Sequence, residues 1–288
     1  MIAVSPGDPG YPPRLRDLRL APDPLWVAGD PAVLALPSVA IVGTRRMSPY
    51  GERVAAELAQ ALAAAGIVVV SGLAQGIDTS AHRAAIESGG RSVAVLGEGL
   101  TSHAAAVRGR RRLLAVRLQA RGALVSQYAP ERPPQGWMFA KRNAVIAALA
   151  GAVIIAEAPF GSGALITAAE ARSLGRPLYA VPGPVGARGS EGTNGLIANG
   201  LATALIDPGV VIARLGGAPA AASRIVDPLL DLLAAGPADL DELSRRLGGD
   251  RAAVRNQVVA RLLDGRIRET GDGRYARVSR PAGRSGGE

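Results

Sequence analysis

Arg45 and Arg46 stand directly after Val39-Ala40-Ile41-Val42-Gly43-Thr44, an apolar run that stops at a glycine. Two guanidinium groups at the carboxyl end of a buried strand, with a helix starting near Ser48-Pro49, are chemistry for holding an anion. Four further segments carry similar residue types. Val70-Ser71-Gly72-Leu73-Ala74-Gln75-Gly76-Ile77-Asp78 places two glycines four apart, so a ligand can approach the backbone closely. Taken alone, it fits better as an ordinary strand-to-helix turn, with Asp78 capping the helix and His82 packed locally. In Phe139-Ala140-Lys141-Arg142-Asn143, the ring could stack on a base while Lys141 and Arg142 meet phosphate. A buried Phe139 beside a solvated basic turn fits equally well. Gly161-Ser162-Gly163 opens the helix that carries Thr167, and such a turn is an anion cradle. The glycine-rich stretch from Val181-Pro182-Gly183 to Ile197 reads as a long functional loop. All five segments are expected at one sheet edge, around one cleft.

The same residues exclude the commoner uses of such loops. No Gly-Lys-Ser/Thr follows the 161–163 turn and no Gly-x-Gly-x-x-Gly fingerprint is present, which argues against NTP hydrolysis and NAD chemistry. Cysteine is absent and His82 and His103 are the only histidines, leaving no thiolate nucleophile, disulfide or zinc site. No metal, cofactor or catalytic residue is expected. The net charge of +9 favours an anionic partner. That signal is softened because Lys141 is the only lysine among 33 basic residues, a sign of coding bias. Aromatics make up 3 %, so any stacking mechanism rests on few rings. Arg108, Arg110, Arg111, Arg112, Arg117 and Arg121 form the densest basic run, free of acids, and face either solvent or nucleic acid.

Such segments need a scaffold that gathers them. Strand candidates at 39–43, 67–71, 92–97, 123–126, 152–157 and 178–181 are short Val/Ile/Leu/Ala runs without clean alternation, as expected when both faces are buried. Helix candidates at 50–65, 78–88, 106–120, 140–150, 164–174 and 193–200 alternate with them. This order predicts an α/β fold over 38–214, a Rossmann-like, doubly wound, mostly parallel sheet. Residues 1–37 are proline-rich and read as an extended lead-in with one short strand at 25–28, and not as a signal peptide. No stretch of about twenty apolar residues appears, so a soluble, cytoplasmic protein is expected. Residues 215–224 read as a linker. Over 225–278, three helices precede a hairpin turn at Gly271-Asp272-Gly273, the outline of a small winged-helix domain. Asp239 caps the second of these helices, with Glu242 three residues on. That segment balances 9 basic against 9 acidic residues, which favours a protein contact slightly over duplex reading. The tail from 279 to 288 is expected to be disordered.

Together the segments Ile41-Val42-Gly43-Thr44-Arg45, Ser71-Gly72-Leu73-Ala74 with Gly76-Ile77-Asp78 and Ala81-His82, Phe139 with Arg142-Asn143, Ser162-Gly163 with Leu165-Ile166-Thr167, and Val181-Pro182-Gly183 closely resemble the DprA/Smf family of DNA-processing proteins. The resemblance covers roughly 11–212. It departs at Thr101-Ser102-His103-Ala104-Ala105, where members carry a Tyr-Pro loop, at Gln127 and at Ala144.

The resemblance implies an extended Rossmann-like core that binds single-stranded DNA. It also implies a homodimer that loads the RecA recombinase onto incoming DNA in natural transformation, and no enzymatic activity. On this reading Arg45, Lys141 and Arg142 neutralise phosphates, with Arg46 beside them among the DNA-binding residues. Amides at Gly43 and Ser162–Gly163 fix the strand, Phe139 stacks, and Thr44, Gly72, Asn143 and Thr167 complete the pocket. The alternative is a nucleotide-processing enzyme related to lysine-decarboxylase-like phosphoribohydrolases. Its Pro-Gly-Gly-x-Gly-Thr-x-x-Glu turn is only partly matched by Pro159 to Thr167, with Glu170 out of register.

Overall fold

The computed structural model describes residues 1–216, 228–248, 250–263 and 266–278. The chain divides into two compact units, Met1–Ala220 and Ala221–Glu288. In the first unit the strands are β1 (Ile2–Val4), β2 (Leu25–Gly29), β3 (Ser38–Val42), β4 (Val68–Ser71), β5 (Ser92–Leu96), β6 (Ala123–Ser126), β7 (Ala152–Ile155), β8 (Leu178–Ala180) and β9 (Thr203–Ala204). The helices are α1 (Pro49–Ala64), α2 (Ile77–Glu87), α3 (Leu100–Ala106), α4 (Gly109–Arg121), α5 (Gly136–Leu149), α6 (Ala164–Ser173), α7 (Glu191–Ala198) and α8 (Gly209–Arg214).

The strands form one sheet in the order β1-β2-β6-β5-β4-β3-β7-β8-β9. Neighbours from β6 across to β9 are parallel. The stretch β5-β4-β3-β7-β8-β9 repeats the doubly wound order 3-2-1-4-5-6, and the order reverses between β3 and β7. Ligands in such sheets bind outside the carboxyl ends of the strands at that reversal.

Every residue of β3 is buried, and its side chains alternate between two cores. Val39 and Ile41 join Leu58, Leu62 and Ile77 from α1 and α2 on one face. Ala40 and Val42 join Val145, Ile146 and Ala168 from α5 and α6 on the other. Val69 of β4 and Ile154 of β7 face the first core, Val70 and Ile155 the second. Burial on both faces explains why the sequence of these strands is continuously apolar.

Two parts differ from expectation. Residues 1–37 are no detached lead-in. β2 pairs antiparallel with β6, and β1 pairs with β2, so they extend the sheet beyond its parallel part. Tyr11, Leu15, Leu25, Val27 and Val33 are buried in the core. The prolines sit where a missing N–H costs nothing, Pro13 and Pro31 each opening a 3-10 turn. The helix expected over 106–120 is α4, which starts at Gly109 with φ +59°, and a further, unexpected helix, α3, precedes it over Leu100–Ala106.

The second unit holds α9 (Pro228–Ala234), α10 (Leu240–Leu247), α11 (Arg251–Leu263), β10 (Ile267–Glu269) and β11 (Tyr275–Arg277). Asp239 Oδ1 accepts the Glu242 amide at 2.8 Å and caps α10, and β10 pairs antiparallel with β11. Leu229, Leu233, Leu243, Val254, Val258 and Ile267 form its own core. Most of the expected linker and the expected tail lie outside the described residues. Among the described residues no helix is long and apolar enough to cross a membrane.

His82 ties α2 to the sheet from within. The Ser92 hydroxyl donates to the Val69 carbonyl at 2.6 Å, so the His82 Nδ1–H donates to Ser92 Oγ at 2.7 Å. Burial, helped by the nearby Arg142 charge, pushes the His82 pKa down from 6.5 to about 3. A group whose folded pKa is depressed binds its proton more readily in the unfolded chain. The stabilising contribution is therefore complete above pH 6.5 and is lost as pH falls from 6.5 toward about 3. At pH 5 the loss amounts to about 2 kcal/mol. Urea titrations at pH 7 and pH 5 are expected to show that drop, with a flatter pH dependence in His82→Gln. Parallel behaviour of the two proteins would assign the acid sensitivity to other groups.

Candidate nucleic-acid interface

A cavity of about 430 Å³ opens at the carboxyl ends of β3 and β7, where the strand order reverses. Its first wall is the 43–46 loop, which is clamped from both sides. The Thr44 amide donates to the Glu157 carbonyl at 2.7 Å, and the Ile77 amide donates to the Thr44 carbonyl at 3.2 Å. Thr44 Oγ1 accepts from the Arg46 amide at 3.1 Å. Gly76, at φ +91°, makes the clamp possible, because a Cβ there would sit 2.9 Å from Arg45 Cα. Buried Glu157 also holds the start of α1, where its Oε2 accepts the Ser48 amide at 2.9 Å. Ser48 Oγ in turn caps the helix by accepting from Gly51 at 3.0 Å. Arg45 and Arg46 remain exposed on a fixed loop.

The second wall is one face of α5, where Phe139, Arg142 and Asn143 stand at helical spacing. The Arg45 guanidinium carbon lies 5.9 Å from the centre of the half-buried Phe139 ring, within cation–π range. Asn143 Nδ2 donates to the Gly163 carbonyl at 3.2 Å and joins this wall to the third.

Arg142 is only 4 % exposed, against the expectation of a phosphate-binding side chain on the surface. Its Nη1 donates to the carbonyls of Gly72 and Val95, at the ends of β4 and β5. Gly72 therefore serves the site as the place where a guanidinium occupies the room of a side chain; it does not line the main cavity. Lys141 also lies outside it. One residue along the helix it turns away, with Nζ 5.9 Å from the Trp137 ring and a groove shared with Leu18, Gln127 and Glu170.

The third wall is the 159–163 turn and the start of α6. Here the Ser162 amide is spent inside the turn, on the Pro159 carbonyl at 3.2 Å, and Ser162 Oγ accepts from Ala164 at 3.3 Å. Among the described residues the amides of Gly161 and Gly163 have no intramolecular acceptor, so these are the donors left for an anion. Thr167 lines the cavity one turn into the helix. Phe160, which sequence reasoning passed over, is 70 % exposed beside it. Both phenylalanines of the chain thus border one cavity. The available signal was an aromatic residue next to a glycine turn, with no periodicity placing it in a core. The 182–190 loop does not reach the cavity. It packs behind it, with Gly189 against the Glu157 side chain, and the following α7 is held there by Gly192, which donates to the Ala158 carbonyl at 2.8 Å.

Burial lowers the Arg142 pKa to about 10, with Asp78 opposing the shift and Arg45 adding to it, so the guanidinium stays charged at neutral pH. Asp78 is raised by burial and held back by Arg142 and by the Gly72 amide, which donates to its Oδ2 at 3.0 Å. The two charges meet through Gly72, one on its carbonyl and one on its amide. Asp78→Ala would strand a buried cation, and the expected cost is about 3 kcal/mol or more, read from the urea midpoint at unchanged slope. Asp78→Asn keeps the acceptor for Gly72 and removes only the charge, so a loss as large as that of Ala is expected, and a near-native midpoint would place the effect in the hydrogen bond and not in the charge.

Residues 3–216 match the model of the DNA recombination-mediator protein A family. The chain is 43 % identical over 191 residues to protein Smf of Escherichia coli, covering 66 % of this chain and 50 % of that protein. It is 38 % identical over 193 residues to the DNA processing protein DprA of Streptococcus pneumoniae, covering 67 % of each. The chain spans about half the length of the Escherichia coli relative. The Streptococcus pneumoniae DprA structure superposes with a TM-score of 0.68 at 36 % identity, over 74 % of this chain and 73 % of that one. DNA processing protein A of Helicobacter pylori, a protein with a described single-stranded DNA binding mode, gives 0.64 at 29 %, over 71 % and 92 %. With more than half of its length under the family model and its site at the strand reversal, the chain belongs to the DNA recombination-mediator protein A family.

Proposed function

We propose that this chain binds single-stranded DNA at the β3–β7 cavity and acts without catalysis, as a homodimeric, cytoplasmic mediator that loads RecA onto incoming DNA. The observation that carries the DNA reading is the pairing of Arg45 with Phe139 opposite Phe160 and the free amides of Gly161 and Gly163. Cations and amides meet phosphates without reading sequence. Aromatic faces add a stacking contribution of about 1–3 kcal/mol per base that any base can use. The family and the Helicobacter pylori relative support the ligand class, and family membership supports the mediator role. The three helices and hairpin of the second unit fit a winged helix suited to protein contact.

Glu170, the carboxylate nearest in sequence to the phosphoribohydrolase pattern, lines the Lys141 groove and not this cavity. Asp78, the acidic residue among those lining the cavity, is committed to Gly72 and Arg142. These placements favour binding over turnover.

Gel-shift titrations are expected to show tight, salt-sensitive binding to oligo-dT and much weaker binding to duplex. Equal affinities would sink the proposal. Arg45→Ala is expected to weaken binding to all sequences alike and to flatten the salt dependence by about 0.7 in log–log slope, the share of one phosphate contact on a single strand. An unchanged slope would place Arg45 off the phosphate path.

A further inference from the structure

Behind the Arg45–Phe139 pair lies a second cavity of about 270 Å³, which shares Arg45, Phe139 and Arg142 with the first. Its chemistry is different. Glu98 and His103 line it with their side chains 14 % and 5 % exposed, and His103 Nδ1 lies 2.9 Å from Glu98 Oε1. Among the described residues, Glu98 Oε2 has no hydrogen-bond donor, and the buried His103 Nε2 has no partner. The edge of the Phe139 ring rests on Gly97, where a Cβ would come within 2.6 Å of Cδ1, so the ring stands as the partition between the two spaces. Arg111 from α4 closes the far side and donates to the Leu73 carbonyl at 3.2 Å.

A single strand whose phosphate sits on Arg45 has one base on each side of Phe139, because Arg45 and Phe139 border both cavities. The first cavity offers cations, amides, hydroxyls and rings, and its carboxylate, Asp78, and its amide side chain, Asn143, are committed to Gly72 and Gly163. The second offers a carboxylate oxygen, which only accepts hydrogen bonds. Cytosine N4, adenine N6 and the guanine N1/N2 edge present donors to such a group. Thymine presents O4 and O2 on either side of its one N–H, and these oxygens meet a carboxylate with repulsion.

On the basis of the single-strand reading above, we infer that the cavity lined by Glu98 and His103 is a second base pocket, and that it favours amine-bearing bases over thymine.

The test is competition against a labelled oligomer, read by fluorescence anisotropy, with oligo-dC and oligo-dT of equal length on the full chain. Oligo-dC is expected to compete about fivefold better or more, the size of one well-made base contact. Glu98→Gln, checked for a native melt, is expected to bring the two competitors within twofold, whatever it does to overall affinity. Arg45→Ala weakens both and keeps their ratio. An arm without any variant uses oligo-dC carrying N4,N4-dimethylcytosine, which has no amine hydrogens and is expected to bind no better than oligo-dT. Equal competition by oligo-dC and oligo-dT, or a preference that survives either Glu98→Gln or N4 methylation, overturns the inference. Failure of every oligomer to bind would instead overturn the single-strand reading itself.

Discussion

The site depends on a charge that water does not reach. Arg142 lies under the cavity, and a buried ion without partners costs several kcal/mol, so its surroundings must be arranged to receive it. Gly72 leaves room for the guanidinium, its carbonyl and that of Val95 accept from it, and Asp78 supplies the opposite charge from α2. These partners come from the ends of β4 and β5 and from the following helix, so one side chain locks α5 against three other segments. Phe139 stands three residues earlier on the same helix face and is positioned by that lock. The arrangement also shapes the field. Arg45 lies close enough to act on the Arg142 charge, Asp78 opposes it, and both arginines border the cavity.

A second constraint decides which helix end can serve a ligand. Two helices, α1 and α6, begin at the strand reversal, and either could hold an anion at its amino terminus. The start of α1 is already taken, because Glu157 accepts from Ser48 and Ser48 caps Gly51. The same residue anchors the 43–46 loop through its carbonyl, so Glu157 fixes the arginine loop and fills the competing anion site together. What stays open is the turn before α6, where Gly161 and Gly163 keep free amides. A generic phosphate loop after β3 thereby becomes a wall that carries charge, with the amide cradle on the opposite side.

Much of this was legible in the residues. Continuous Val/Ile runs marked the buried parallel strands β3 to β8 to within a residue or two, since burial on both faces leaves no polar position to blur them, whereas the exposed two-residue β9 carries no such run. Gly43, Thr44, Arg45, Arg46, Phe139, Arg142, Asn143, Ser162, Gly163 and Thr167, named from residue types and spacing together with the family resemblance, line one cavity. Three things were not legible, each for a physical reason. Lys141 lies about 200° around the helix from Phe139, whereas Arg142 and Asn143, three and four residues on, share the Phe139 face, and the pattern did not say which face would meet the cavity. Proline density in 1–37 hid β1 and the joining of β1 and the expected β2 to the sheet, because prolines placed at turns interrupt the apparent pattern without interrupting the sheet. The inward turn of Arg142 depended on Asp78 and Gly72, some seventy residues away, a pairing that only the fold creates.

The scarcity of aromatic residues sharpens the meaning of those present. The core is built mainly from Val, Leu, Ile and Ala, with Tyr11 and Tyr179 as rings within it, yet both phenylalanines border this cavity and neither is fully buried. A duplex hides its base faces in the stack, whereas a single strand can offer one face to each ring. Phe139 is held in place by Gly97 and bordered by Arg45, so little ordering cost remains to be met when a base arrives. Phe160 stands on an exposed turn next to Gly161 and borders the same cavity. Two rings with cations along the rim suit the proposed grip on a strand without regard to sequence. On the proposed path, a carboxylate behind the rigid ring is then the one place where base identity can register.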